Sequence, residues 1–359
     1  MEADIHDALD RLLTGISTPK VVREIEAGGS PVRLWQQLAD SGFADALVPE
    51  STGGAALSLS EAFLLFFICG RHALPMPLAQ TMIARSICAA GAIGIPDGPM
   101  TISPLPVVAN DQIIKCRNVP FGKVARWVIV PYVDFTGPAD WSGPLAARLL
   151  PVSAATRSDS GIPGSLLAHL AWENPVSAGD VVAARLPWME IGGLVTAALM
   201  AGAMEYVLGK TVSYAGARSQ FGRSIGKFQA VQQQISVLAE LVAASRMAAE
   251  LGCQEASPGL PNPLAAAVAK ARASEAAVAV VSIAHAVHAA MGITEEYDLQ
   301  LYTRRLNEWR TDYGNASYWN HRVGNAVLAS DARCALDFML PAFFPDIAST
   351  PTPFRGESS

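Results

Sequence analysis

Three long apolar segments in the second half of the chain limit what it can fold into. They cover Ile191–Val212, Phe228–Leu251 and Asn262–Met291, and short turn sequences join them. Apolar residues recur in each segment at helical spacing, so each predicts a helix of about twenty residues or more. Helices of this length joined by short turns pack as an antiparallel bundle. Shorter helical patterns at Tyr297–Trp309 and Ala316–Phe338 extend the predicted bundle.

The first half of the chain divides where the pattern changes. Up to about residue 97, apolar residues lie three and four apart, as in Val32–Asp40, which predicts helices with one buried face. The helical period then fades, and short runs rich in Val and Ile, bounded by turn residues, predict strands. We therefore expect a mainly α, α+β protein with an all-α domain at 1–97, a β domain at 98–186, a four-helix bundle at 187–340 and a flexible tail at 341–359.

Composition restricts the function classes. Of the 359 residues 51% are hydrophobic and only 16% are charged, which favours an obligate oligomer whose interfaces resemble a domain core. The net charge of −6 argues against a general nucleic-acid binder, which needs a basic face. The five cysteines lack the spacing of a metal site and are expected to be reduced core residues; they are Cys69, Cys88, Cys116, Cys253 and Cys334.

Targeting and metal sites are also not indicated. The acidic N-terminus lacks the features of a signal peptide, and we expect a cytoplasmic protein. The apolar window Ala276–Gly292 contains His285 and His288, and it predicts a buried bundle helix rather than a membrane span. A metal site would need acidic or cysteine partners beside the two histidines, and plain helix residues are favoured over metal ligands.

The turn between the first two long segments carries residues that are unusual as packing material. It runs Tyr214-Ala-Gly-Ala-Arg218-Ser-Gln220-Phe221-Gly222-Arg-Ser-Ile-Gly-Lys-Phe-Gln229. A guanidinium presents a planar fork that suits phosphate oxygens, and an exposed ring suits a flat aromatic ligand. The alternative is that these residues only join two helices.

The same stretch resembles the acyl-CoA dehydrogenase family, and so does the order of helical domain, β domain and bundle. The resemblance implies FAD as cofactor. It implies that Arg218 contacts the FAD diphosphate of a neighbouring subunit and that Gln220, Phe221 and Gln229 line the same arm. The turn after the third long helix resembles the family's Gly-Gly-x-Gly motif, which here supplies Ala289, Ala290 and Gly292.

The chain departs from the family at the catalytic base. The family uses a glutamate to remove the α proton of the acyl thioester, and its two known positions fall on Tyr313 and Gly192. A tyrosine with an ordinary pKa near ~10 is a poor base at neutral pH. Glu190 and Asp312 lie close in sequence and are weak candidates for the base. The family's Thr-Glu-Pro flavin-covering motif is also missing from the β domain.

The chain thus keeps residues that serve a neighbour's FAD and lacks residues that serve its own. We expect an acyl-CoA dehydrogenase subunit that acts on a bulky, steroid-like CoA thioester with a homologous partner in an α2β2 assembly. The partner supplies the base, and electrons pass to an electron-transfer flavoprotein or a similar acceptor. Three alternatives stay open: a self-sufficient homo-oligomer using Glu190 or Asp312, a non-catalytic scaffolding subunit, and a flavin monooxygenase on the same fold.

Overall fold

The computed structural model describes residues 2–104, 107–110, 113–132, 145–173 and 180–344. The chain begins with helices that pack around one core, which continues into the bundle. Their bounds are α1 Glu2–Ile16, α2 Pro19–Glu26, α3 Val32–Asp40, α4 Leu59–Arg71 and α5 Leu78–Ala90. The start of α4 is fixed by a capping box, in which Ser58 and Glu61 each satisfy a backbone N–H of the other.

The middle of the chain forms two four-stranded sheets. Their strands are β1 Met100–Ile102, β2 Val107–Asn110, β3 Ile113–Val119, β4 Trp127–Tyr132, β5 Leu145–Pro151, β6 Thr156–Asp159, β7 Ala168–Glu173 and β8 Asp180–Leu186. One sheet has the order β1-β4-β5-β8 and the other β2-β3-β7-β6. In the first, β1 runs parallel to β4, while β4–β5 and β5–β8 are antiparallel. Side chains from both sheets, such as Val130 and Trp172, share a small core of their own.

The second half of the chain is helical, as the long apolar segments predicted. The bounds are α6 Trp188–Ala217, α7 Gln229–Gly252, α8 Pro263–His288, α9 Leu299–Trp309, α10 Ala316–Leu328 and α11 Ala335–Phe343. Helix α6 lies at the centre, and its backbone touches that of α4. A Cβ on Gly202 would lie 1.9 Å from the carbonyl oxygen of Phe67, so only glycine allows this approach.

Two helical segments have the length and composition of membrane spans. The most apolar window of Trp188–Ala217 is 83% buried inside the chain, whereas that of Pro263–Ile293 is 39% buried. Because core helices of soluble proteins pass the same test, these segments are weak evidence for a membrane. Helix α8 does, however, leave much of an apolar surface uncovered by the chain itself.

Two expectations need correction. The segment Ala316–Phe338 forms two helices, because α10 ends at Leu328 and Ser330 donates a hydrogen bond to the carbonyl oxygen of Val327, which satisfies a helix-end acceptor. Helix α11 then runs to Phe343, past the predicted start of the tail, and residues 345–359 lie outside the described residues. Among the cysteines, four are buried as expected, but Cys334 is exposed at the start of α11.

Candidate functional site

The segment after α6 forms a tight hairpin. Two-residue strands pair Ser219–Gln220 (β9) with Arg223–Ser224 (β10). Phe221 and Gly222 make the turn, with φ of 51° and 77°, the backbone of a type I′ hairpin. Glycine adopts this conformation freely, but phenylalanine rarely does, so the ring is held in a strained position. The hairpin sets the direction in which this ring points.

The predicted cofactor contacts of this hairpin all face outwards. Phe221 is 91% exposed, and Arg218, Gln220 and Gln229 are exposed as well. Within the described chain, Arg218 makes no side-chain hydrogen bond or ion pair, and its backbone alone is bonded, to Tyr214 and Ile225. The ring of Phe221 meets that of Phe228 nearly at a right angle, with ring centres 6.1 Å apart, and most of its surface stays open. This ring and the unpaired guanidinium of Arg218 are available to another molecule.

The electrostatic character of this surface suits an anion. No acidic residue occurs between Glu205 and Glu240, whereas Arg218, Arg223 and Lys227 lie in or beside the hairpin. Arg223 is less free than Arg218, because its guanidinium lies 4.1 Å from the ring centre of Phe228. The hairpin therefore combines a free guanidinium, exposed amides and an aromatic face, which fits a diphosphate joined to an aromatic base.

The second predicted cofactor segment lies at the same end of the bundle. Ala289, Ala290 and Gly292 fall in the short 3₁₀ turn Ala289–Ile293 that follows α8. Both alanines are exposed, and Gly292 is buried where a Cβ would lie 3.0 Å from the Cβ of His288. The turn thus keeps one glycine where space requires it.

An aromatic cluster joins the two segments. Tyr214, one turn before Arg218, stacks on His288 with ring centres 4.4 Å apart, and Tyr297 lies against both. His288 is 1% exposed, its Nδ1 lies 2.8 Å from the carbonyl oxygen of Ala284, and burial lowers its pKa. The sequence indicated a plain helix histidine but not this stacking. No group of His, Cys, Asp and Glu in the described part of the chain has the arrangement of a metal site.

The two base positions of the resemblance are in direct contact with each other. A Cβ on Gly192 would lie 2.1 Å from the ring of Tyr313, so the ring occupies the space of a side chain at position 192. The Tyr313 hydroxyl donates a hydrogen bond of 2.5 Å to the carbonyl oxygen of Ile102 in β1. Burial raises the pKa of Tyr313 well above its ordinary value, and the ring is 3% exposed. The hydrogen-bonded ring of Tyr313 therefore fills the space beside Gly192.

The two weak candidates for the base are also constrained. Glu190 is 4% exposed and forms an ion pair with Arg322, which bridges α6 and α10. Asp312 is buried, and this burial raises its pKa, the nearby Glu308 raises it further, and Lys270 lowers it. A carboxyl group with a raised pKa is protonated over a wider pH range, and an ion-paired carboxylate is a weakened base.

Lys270 holds the turn that carries these residues. Its Nζ donates to Ser274 at 2.9 Å and to the carbonyl oxygens of Trp309 and Gly314 at 2.9 and 3.2 Å. The side chain is fully buried, and burial lowers its pKa to about 7. Lys270 therefore fixes the backbone on both sides of Asp312 and Tyr313, which holds the Tyr313 ring in place.

Comparison with known proteins now identifies the arrangement. Residues 187–311, which carry the hairpin and the turn after α8, match the acyl-CoA dehydrogenase C-terminal domain. Acyl-CoA dehydrogenase IpdE2 of Mycobacterium tuberculosis is 28% identical over 319 residues, covering 84% of this chain and 90% of that protein. The predicted resemblance to the acyl-CoA dehydrogenase family is confirmed.

Solved structures of this family share the fold. The ChsE4–ChsE5 complex from Mycobacterium tuberculosis contains a chain that matches with a TM-score of 0.78 and 21% identity, over 92% of this chain and 98% of that one. The Tcur3481–Tcur3483 steroid ACAD matches with a TM-score of 0.76 and 22% identity, over 91% and 97% of the two chains. The predicted mainly α, α+β acyl-CoA dehydrogenase fold is confirmed.

Ala289 stands in the turn that resembles the glycine-rich motif of the acyl-CoA dehydrogenases, and its backbone has a conformation typical of glycine. Ala289 has φ 50° and ψ −138°, a conformation that a side chain disfavours. We expect Ala289→Gly to stabilise the protein by about 1 kcal/mol, because it relieves this strain. The neighbouring Ala290 is the matched control: it is exposed and has ordinary φ, so Ala290→Gly should destabilise by roughly 0.5–1 kcal/mol. Urea unfolding measures the free energy of unfolding of both variants. Changes of the same sign in the two variants would contradict the strain at Ala289.

Proposed function

We propose that this chain is the partner-type subunit of a heteromeric, FAD-dependent acyl-CoA dehydrogenase. It binds the diphosphate–adenosine arm of an FAD whose reactive ring lies in a neighbouring, homologous subunit. The observation that carries the proposal is the exposure of Arg218 and Phe221 on the hairpin, where the Arg218 guanidinium has no hydrogen-bond or ion-pair partner in the described chain and the Phe221 ring is 91% exposed. Residues that served an internal cofactor would line a pocket of this chain.

The residues of this chain act by binding and orientation. The Arg218 guanidinium would hold the diphosphate through charge-assisted hydrogen bonds, and Phe221 would offer an apolar face to the adenosine. Gln220 and Gln229 would supply amide donors and acceptors around the same arm, and the Ala289–Gly292 turn would border it. When bound, FAD accepts a hydride from the β carbon of the acyl thioester. This chain fixes the far end of that cofactor.

The base is supplied by the neighbouring subunit in this proposal. The ring of Tyr313 fills the space beside Gly192, and the hydroxyl is already bonded to Ile102. A proton at the α carbon cannot be taken by a buried phenol whose pKa is raised. The chain therefore contributes a half-site, which agrees with its low share of charged residues and the partly uncovered α8.

The substrate and partner are proposed from the matched structures. One is a complex of two differently named chains, and the other is described as a steroid ACAD. We therefore propose an α2β2 assembly that oxidises a bulky, steroid-like acyl-CoA to the 2,3-enoyl-CoA in the cytoplasm. An electron-transfer flavoprotein or a similar acceptor takes the electrons.

Co-expression with a homologue from an adjacent gene tests the proposal. We expect the two chains to copurify with yellow flavin, and the lone chain to carry none. Stoichiometric flavin in the lone chain would overturn the half-site. The absorbance spectrum near the flavin bands, together with the mass of the complex, gives both results.

Replacement of the two carboxylates tests the rival in which the chain is self-sufficient. We expect Glu190→Gln and Asp312→Asn to leave kcat of the folded, assembled complex unchanged, because Glu190 is held in an ion pair with Arg322 and burial raises the pKa of Asp312. If either were the base, its amide would lower kcat by about 10²–10⁴-fold. Stopped-flow reduction of the flavin by substrate distinguishes the outcomes, with circular dichroism confirming that Glu190→Gln still folds after its ion pair is lost.

A base position filled by the Tyr313 ring is also expected of a non-catalytic scaffolding subunit. The two proposals differ in the role of the hairpin, because a scaffold needs no contact with the FAD diphosphate. A full flavin content and unchanged affinity after Arg218→Ala would select the scaffold.

A further inference from the structure

A cavity of about 330 Å³ lies between the strand layer and α9. Its walls include Phe121 and Leu166 on the strand side and Glu308 and Asp312 at the end of α9. None of the hairpin residues lines it. The volume equals that of roughly ten water molecules in the liquid, at the lower end of small-molecule sites. The cavity is therefore a separate feature with room for a ligand about the size of a substituted ring.

Asp312 gives this cavity an unused polar group. The residue is 7% exposed, lines the cavity and accepts no hydrogen bond from the residues that the structure describes. Buried carboxyl groups are normally hydrogen-bonded, because burial without a partner is costly. The nearest cation, Lys270, gives its three N–H donors to Ser274, Trp309 and Gly314 instead. The capacity of Asp312 to bind a donor is thus left for an occupant of the cavity.

Glu308 lies one helical turn before Asp312 and adds a second acidic group. Burial raises the pKa of both carboxyl groups, and a neighbouring carboxyl group raises each pKa further: Glu308 for Asp312, and Glu26 for Glu308. Lys270 lowers the pKa of Asp312, while Ser165, Arg305 and Arg304 lower that of Glu308. A positive group between the two carboxyls would remove their mutual repulsion.

The neighbouring arginines do not supply that positive group. Arg304 and Arg305 both hold Glu26, at 2.7 and 3.0 Å, and Arg304 also donates to the carbonyl oxygen of Pro163. Glu26 balances only one of these two positive charges, but the three acidic residues and two arginines that line the cavity leave it with a formal charge of −1. The remaining walls combine apolar residues, among them Phe121 and Leu166, with polar ones such as Asn118 and Thr311. An aromatic ring is a group that organic cations favour.

We propose that this cavity binds a small organic cation with a flat apolar body. Its positive group lies against Asp312 and Glu308, and its body lies between Phe121 and Leu166. The site is independent of the FAD-arm surface and of the proposed dehydrogenase role. Its test accordingly needs no flavin and no activity.

Three isosteric probes test the charge preference on the full-length chain by calorimetry: benzamidine, neutral benzamide and anionic benzoate. We expect benzamidine to bind with a dissociation constant of roughly 0.1–1 mM and about 10–100-fold more tightly than benzamide, as for a charged hydrogen-bonded pair. Benzoate should bind least. Equal affinities for the three probes, or no binding of benzamidine in this range, would overturn the proposal.

Variants locate the binding. Asp312→Asn should weaken benzamidine at least about tenfold and leave benzamide nearly unchanged, so that the preference disappears. Glu240→Gln, an exposed change on α7, is the matched control and should change neither. Because Asp312→Asn removes the charge that faces buried Lys270, Glu308→Gln provides a second variant with the same expected direction. Benzamidine binding that both variants leave intact would place the probe elsewhere and refute the site.

Proton release gives a further readout on the unaltered chain. A cation favours the ionised carboxyls, so binding near neutral pH should release protons, which calorimetry in buffers of different ionisation enthalpy detects. The groups facing the pair are Lys270, Arg304, Arg305 and Glu26, and the first can lose a proton in the same range. Release that persists in Glu308→Gln but vanishes in Asp312→Asn would assign it to Asp312. Proton uptake would contradict the proposal.

Discussion

In the complex of this chain with its flavin-binding partner, Arg218→Ala is expected to lower the affinity for FAD by about 10–100-fold. The guanidinium is exposed, has no intrachain partner and follows directly after α6, whose last turn fixes its backbone through Tyr214. Little reorganisation is therefore needed when it meets a diphosphate, and its loss removes charge-assisted hydrogen bonds that nothing nearby replaces. Flavin fluorescence during dilution of the complex measures the change.

Two further variants separate the contribution of the planar guanidinium geometry from that of its charge. Arg218→Lys should recover part of the affinity, because an ammonium keeps the charge but cannot pair with two oxygens at once. Arg11→Ala, an exposed change on α1 far along the chain, should leave FAD affinity unaltered and controls for net charge. If Arg218→Lys restored the FAD affinity completely, the site would recognise the charge of the side chain alone. An FAD affinity that Arg218→Ala leaves unaltered would show that this chain does not bind the diphosphate arm of FAD.

Gly192→Ala is expected to destabilise the chain by about 3 kcal/mol or to prevent folding. The added methyl would lie 2.1 Å from the Tyr313 ring, and that ring cannot move away because its hydroxyl is bonded to Ile102 and Lys270 holds the adjoining turn. Overpacking of a rigid core site costs about 1–3 kcal/mol or more. Gly209→Ala is the matched control on the same helix: its added methyl meets nothing, so it should stabilise by up to about 1 kcal/mol.

The double variant makes the expectation specific to the contact between the two positions. Tyr313→Ala alone should cost about 3–5 kcal/mol, the usual range for removing a buried aromatic ring. In that background Gly192→Ala should change sign and stabilise, because the clash is gone and alanine favours helix over glycine by about 1 kcal/mol. Urea unfolding of the four proteins gives the cycle. Additive effects would show that the ring does not occupy the space beside position 192.

The hairpin is the part of the site that could be predicted best from the sequence. Phe221-Gly222 between two helical segments indicated a turn, and Arg218 beside it indicated an anion site, because both inferences rest on local chemistry. The structure adds that the turn is type I′ and that the side chains face outwards. The sequence analysis anticipated an exposed ring, but the extent of its exposure depends on which surface of α6 the other helices cover.

The contact of Tyr313 with Gly192 could not be found from the sequence. The two residues are far apart along the chain, and alignment to the family showed only that neither is a carboxylate. The stacking of His288 on Tyr214 was likewise invisible, because each residue lies in a different helix. A hint was present for the first contact: a tyrosine and a glycine stand at the two positions where the family places its glutamate, which indicates compensating packing.

Sequence alone determined the order of domains, the long bundle helices and the family, because these depend on local periodicity and on a motif that is contiguous in the chain. Tertiary structure alone decided that the ring of Tyr313 fills the space beside Gly192 and how far the side chains of the hairpin are exposed. The physical reason is that helix formation follows from neighbouring residues, whereas filled or open space depends on how distant segments pack. One packed ring, Tyr313 against Gly192, therefore occupies the two base positions of the resemblance.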